Sequence, residues 1–238
     1  MKRLAILGYH KIGPPPRSGW NTWFFIPEET FLRQLMELQA DGWQVIDLAT
    51  FLRGLSSPDV LPERSALITF DDGYRSMLTI ALPLLRQLGL PSVLFVPTDH
   101  VGKSNSFDSG LEPDEVLCDW DELRALHQAG VAIQSHASSH RHFSKMDVVE
   151  QKTELLRSKT AIEAEVGGDV STIAFPYGDD GADPPLLRVE LERAGYQSAF
   201  LYGGGPVAIP IESSYRLTRP TMGPETSDTS INIGKSLC

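Results

Sequence analysis

The chain has 238 residues, 41% hydrophobic and 22% charged, with a formal net charge of −10. That is ordinary globular composition, enough for one α/β domain or two small ones, and its acidic balance disfavours nucleic acid and strongly anionic polymers as partners. No apolar run approaches the roughly 18 residues of a membrane span. The two cysteines make neither a disulfide framework nor a zinc knuckle: Cys118 reads as half-buried filler and Cys238 as a free thiol on a loose tail.

Short apolar runs alternate with helix-period segments in chain order. Residues 4–8 read as a core strand; the apolar stretch there is too short for a signal peptide, so a cytoplasmic chain is expected unless an export segment precedes it. "EETFLRQLMELQADG" places Phe31, Leu35 and Leu38 on one helical face and stops at Gly42. Strands follow at 43–46 and 66–70, then "MLTIALPLLRQLGL", a helix that Pro83 should kink. After a strand at 92–96 comes a long polar connection, 97–117, of the kind that lines or covers a site. "DWDELRALHQAG" has the acidic first turn and closing glycine of a helix, with Trp120 either a core anchor or a sugar-stacking platform. Further strands are expected at 131–134, 172–175, 197–201 and 215–217, with a long helix at 145–166. "YGGGP", residues 202–206, is expected to be a flexible turn and not a phosphate cradle, and residues 223–238 a peripheral tail after a catalytic domain of residues 1–222. Seven or eight strand–helix units imply a parallel sheet closing into a barrel, with reacting groups where strands end.

Two such ends carry chemistry. "LITFDDGYRS" puts Asp71 and Asp72 side by side after a buried strand; an Asp-Gly turn would explain them, and so would a cation that relieves their repulsion. "AIQSHASSHRHF" puts His136 and His140 four apart, so that a helical turn after the strand would bring both imidazoles to one point, while His142 falls on the other side. Two histidines with a carboxylate leave coordination positions open for water and substrate, as catalytic sites do. One aspartate could bind the ion while its neighbour stays free as a base, its pKa raised by desolvation and lowered by the cation. The same ligand set also builds non-haem iron oxygenase sites, which the strand–helix alternation disfavours.

"TFDDGY", "SHASSH" and "FPYG", in this order, resemble the polysaccharide deacetylases of carbohydrate esterase family 4, over about residues 4–220. The resemblance implies a distorted (β/α)7 barrel that hydrolyses N-acetyl, sometimes O-acetyl, groups on sugars. It implies one divalent metal, zinc foremost with Co2+, Ni2+ or Fe2+ as alternatives. It makes Asp71 the general base, Asp72, His136 and His140 the metal ligands, and Tyr177 the residue whose backbone N–H helps bind the oxyanion. Two features depart from the family pattern. No arginine shortly precedes Pro176-Tyr177, a place Arg219 of "YRLTRP" could fill, and no histidine follows His142. "LGYHKIG" resembles a circularly permuted branch in which the missing histidine sits on the first strand, which makes His10 the general acid. A non-catalytic glycan-binding relative is the alternative that the missing arginine leaves open.

Overall fold

Runs of buried residues lie where the alternating pattern placed strands, because each strand is covered on both faces. The computed structural model describes residues 2–14, 22 and 24–226. Its strands are β1 (Arg3–Tyr9), β2 (Lys11–Ile12), β3 (Phe25–Ile26), β4 (Gln44–Val45), β5 (Arg64–Phe70), β6 (Ser92–Val96), β7 (Val131–Ser135), β8 (Thr172–Ala174), β9 (Ser198–Phe200) and β10 (Val207–Ala208). Its helices are α1 (Glu28–Ala40), α2 (Leu48–Ser56), α3 (Leu82–Leu88), α4 (Trp120–Gln128), α5 (Val148–Glu165) and α6 (Pro184–Arg193). Capping boxes start two of them: Asp119 with Glu122 on α4, and Asp147 with Glu150 on α5. Pro83 does not kink a regular helix. It is the second residue of α3, where its missing N–H costs little, and a π-helical turn, Met77–Ala81, absorbs the change of register just before it.

The parallel strands lie in the order β1-β5-β6-β7-β8-β9, with β10 antiparallel on the outer edge of β1 and β4 beside the first half of β5. No regular strand forms at 215–217. Instead an irregular segment closes the barrel between β9 and β1, through parallel bridges Phe200–Leu217 and Gly8–Thr221. The Gly8 N–H donates to Pro220 O at 3.0 Å and the Met222 N–H to Gly8 O at 2.9 Å. Pro220 has no N–H to give a ladder, which keeps this seventh stave short. The result is a distorted (β/α)7 barrel.

Side chains alternate across the strands. Ala5, Leu7, Ala66, Ile68 and Ile133 join the large core under the helices, whereas Leu4, Ile6, Leu67, Val93, Phe95, Ala174, Phe200 and Leu217 fill the barrel. Residues 223–226, placed in a peripheral tail by the sequence, begin by docking: the Gln34 amide of α1 donates to Gly223 O at 2.8 Å and Thr226 O at 3.0 Å. Cys238 lies outside the described residues.

Candidate active site

The period of two that fills the barrel also builds its mouth. Inward positions 4, 6 and 8 of β1 continue to His10, positions 67 and 69 of β5 to Asp71, and positions 132 and 134 of β7 to His136. Each lies just beyond the C-terminal end of a parallel strand. Asp72 and Gly73 then both take left-handed conformations, φ 70° and 75°, so the Asp-Gly pair is a tight turn as well as a candidate ligand position.

His136 and His140 converge, but not through a helical turn. Ala137 and His140 adopt φ 59° and 57°, which folds the segment back on itself. Asp72, Ala137, His140 and Tyr177 are the four non-glycine residues with positive φ among the described residues; three of them border one cleft, and Ala137 lies buried next to His136 of the same cleft. Such backbone persists only where its surroundings dictate it. Here a buried carboxyl does so: Glu154 Oε2 on α5 accepts the backbone N–H groups of both Ser138 and Ser139 at 2.8 Å. The hydroxyl of Ser135, itself paired with Ser158 at 2.8 Å, accepts the Ala137 N–H.

Asp72 Oδ1 lies 3.3 Å from His136 Nε2 and 3.1 Å from His140 Nε2, and one ligand atom from each residue fits within a 4.8 Å cluster. The His136 Nδ1 is 2.7 Å from Ala174 O, an acceptor only, so Nδ1 carries a proton and in the neutral ring Nε2 is the lone pair. A lone pair facing a carboxylate oxygen that is buried and without a sound hydrogen bond is an arrangement a divalent cation would satisfy. The residues fit a metal, and a backbone carbonyl such as Ala174 O holding the far ring nitrogen is the usual means of aiming such a histidine.

Asp71 is held by a different partner. Arg219, fully buried, donates from Nη1 to Oδ1 and from Nη2 to Oδ2, both at 2.7 Å, in a two-pronged pair. Its Nε donates to Leu201 O at 3.0 Å, Nη1 also reaches the Thr69 hydroxyl at 3.2 Å, and its guanidinium lies over the Phe95 ring. Burial works to raise the Asp71 pKa, but the Arg219 charge, helped by His136 and His10, prevails and holds it below the ordinary carboxylate value. His10 Nε2 sits 3.9 Å from Asp71 Oδ2, beyond hydrogen-bond range. Burial lowers the His10 pKa, against the opposite pull of Asp72 and Asp71.

These groups line one cleft of about 320 Å3, which Tyr177, Tyr202, Asp108 and Glu112 also border. The long connection does reach the site. Asn105 braces it internally by bonds to Pro113 O and the Glu115 N–H, and Glu112 pairs with the buried Lys11 at 2.8 Å. From it Phe107 stacks on His140, centroids 3.9 Å apart. Tyr177 occupies the tight turn Pro176–Gly178, where a Cβ on Gly178 would lie 2.7 Å from the Tyr202 backbone nitrogen.

Other sequence-based expectations fall elsewhere. Trp120 packs partly buried against the large core and does not border the cleft, so it is no sugar platform in this fold. His142 stands apart from the ligand cluster, stacked on Tyr177 at 4.1 Å with Nδ1 3.2 Å from Asp179. Cys118 is fully buried, not half-buried, with its thiol 3.8 Å from Tyr74 O. The glycine run at 202–206 is pinned rather than loose, since Gly203 pairs with Arg219 in an antiparallel bridge. Glu154, Phe107 and Asp108 were not singled out from the sequence. Polar residues at 151, 154 and 158, on the same helical face as Leu155 and Ile162, are the sign in the sequence that this helix faces something polar, and all three are buried.

The profile of the polysaccharide deacetylase family matches residues 59–199, more than half of the chain. The chain belongs to the polysaccharide deacetylase family. Its relatives in that family include YxkH of Bacillus subtilis, whose own assignment as a polysaccharide deacetylase is provisional, 25% identical over 225 residues covering 94% of this chain and 73% of that protein. The poly-beta-1,6-N-acetyl-D-glucosamine N-deacetylase of Escherichia coli K12 is 23% identical over 214 residues, 72% of this chain, and the match spans only 30% of that enzyme. In structure, the deacetylase PplD of Streptococcus pyogenes superposes with a TM-score of 0.82 at 18% identity, over 98% of this chain and 97% of that one. That likeness shows the shared barrel. Membership displaces the iron-oxygenase alternative, and no helix among the described residues is long and apolar enough to cross a membrane.

Proposed function

We propose that this polysaccharide deacetylase is a divalent-metal hydrolase that removes N-acetyl groups from an acetylated amino sugar or glycan. The observation that carries the proposal is the placement of two separate carboxylates at one mouth. Asp72 faces the Nε2 atoms of two histidines, while Asp71, its neighbour in sequence, faces a guanidinium. Asp72, His136 and His140 would hold the ion. Zinc is the cation this nitrogen-rich set suits, and when bound it supplies Lewis-acid polarisation of the acetyl carbonyl and a water of lowered pKa.

The chain's own residues account for the protons. Asp71, kept ionised by Arg219, takes the proton of the attacking water. His10, bordering the same cleft, gives a proton to the departing nitrogen, so amide and water become amine and acetate. The strained turn at Tyr177 offers its backbone N–H to the developing oxyanion, a class of contact worth about 2.7–4 kcal/mol. Arg219 also answers the objection that the family's arginine is missing, because it reaches the base from the opposite end of the chain; this favours an enzyme over a glycan-binding relative. The test is acetate release from a panel of N-acetylated sugars and oligosaccharides, before and after chelation and after zinc restoration. Release that depends on zinc supports the proposal, and no release from any N-acetyl substrate overturns it.

A further inference from the structure

His140 and Tyr177 border not one depression but two. The second, about 380 Å3, is lined on its other sides by His100, Ser139, Arg141, His142 and Lys145 among others. No aspartate or glutamate lines it, whereas Asp71, Asp72, Asp108 and Glu112 line the catalytic cleft. In a chain of net charge −10 this is a local reversal of sign. Lys145 is exposed and makes no ion pair among the described residues, and Arg141 meets only the exposed Glu150, at 3.2 Å. The acids that flank it, Asp179 at 3.2 Å from His142 Nδ1 and Glu154 beneath the Ser139 N–H at 2.8 Å, lie outside the lining.

Two further lining residues have unused hydrogen-bonding capacity. His100 Nε2 is 3.3 Å from Ser139 O, which makes Nε2 the donor and Nδ1 an acceptor. That Nδ1 and the Ser139 hydroxyl are both buried without a partner, although such atoms are nearly always satisfied. The Tyr177 ring, 45% exposed and backed by His142 in parallel at 16°, is a flat apolar face on the boundary between the two depressions.

We propose that this second depression is a subsite for the sugar unit next to the acetylated one, and that it selects a unit carrying an oxyanion, a carboxylate or a phosphate. The inference rests on the de-N-acetylase reading. The Tyr177 face would take the ring, and Lys145 with Arg141 would meet the anion. The overall negative charge limits such groups to isolated ones along the glycan, since a dense polyanion would be repelled.

The zinc-loaded enzyme should be assayed on three chito-tetrasaccharides of one length: neutral, bearing one carboxymethyl ether, and bearing one phosphate ester. The proposal expects kcat/KM about tenfold higher on a charged tetramer than on the neutral one, the size of one charge-assisted contact; which charged tetramer gains distinguishes carboxylate from phosphate. Lys145→Glu, or Arg141→Glu should the first fold poorly, should bring that ratio to about one. Arg86→Glu, the same charge change on α3, should leave it standing. Equal kcat/KM on all three tetramers, or a ratio indifferent to Lys145→Glu, overturns the subsite. If no tetramer releases acetate, the de-N-acetylase reading fails by itself, and calorimetric binding of charged against neutral tetramer, with the same variants, still decides the subsite.

Discussion

Replacing Arg219 by methionine keeps most of the side-chain volume and removes the charge. It leaves Asp71, buried at the barrel mouth, without either of its 2.7 Å partners. Breaking a buried pair by deleting one member typically costs about 3–5 kcal/mol, and the lost bonds to Leu201 O and Thr69 keep the cost in that range. For a domain of this size 1 kcal/mol moves Tm by about 2–4 °C, so Arg219→Met should melt roughly 6–20 °C lower. The pH dependence has a defined sign. In the parent, Asp71 has a depressed native pKa, so its contribution is complete above the unfolded pKa and is lost as pH falls through the native one. Without Arg219 burial prevails and the native pKa rises, so protonation relieves the variant as pH falls. The Tm gap should therefore narrow between pH 7 and pH 4. Urea melts at several pH values, with the double variant Asp71→Asn/Arg219→Met completing the cycle, measure this directly. A cost below about 1 kcal/mol, a gap that widens toward acid, or single costs that simply add would refute the assignment of Arg219 as the partner of a buried charge.

Asp72→Ala should lose bound zinc, whereas Asp71→Asn should keep it and lose turnover; equal loss of metal from both, by elemental analysis, would undo the division of labour. His10→Ala should lower amide hydrolysis by about 10²–10⁴, the usual worth of a general acid, and should cost less on an aryl acetate whose leaving group needs no proton. Glu154→Ala orphans two backbone N–H groups between the histidines and should weaken zinc binding by about 10–100-fold, with Glu154→Gln restoring part of it in a competition titration against a chelator. Burial pushes the Cys118 thiol up to about 12, so aromatic disulfide reagents at pH 8 should modify it only on unfolding.

The barrel was legible because its strands are short, apolar and regularly separated, and the same period of two carries inward positions into His10, Asp71 and His136. What local pattern could not supply was long-range closure. Arg219 meets Asp71 across 148 positions of chain, and nothing in "YRLTRP" distinguishes a stave closed by isolated bridges from a regular strand. The left-handed residues were hidden for another reason: Ala137 has no local preference for φ near 60° and His140 only a weak one, and Glu154 holds the loop between them from helix α5. Trp120 shows the converse, an aromatic residue beside a suggestive loop that the core simply absorbs.

The closing segment has a thermal corollary. β1 and β5 are matched over seven consecutive residue pairs, while the segment carrying Arg219 is tied to its neighbours by single bridges. Opening free energies vary across a protein, and lightly bonded parts exchange their amides first. Amides of residues 217–222 should accordingly exchange ahead of those of β5 and β6. Each such excursion withdraws the guanidinium from the base, so warming should silence catalysis while helical circular dichroism is still intact. Fastening this seam would raise the working temperature of the enzyme without altering any group that touches the substrate.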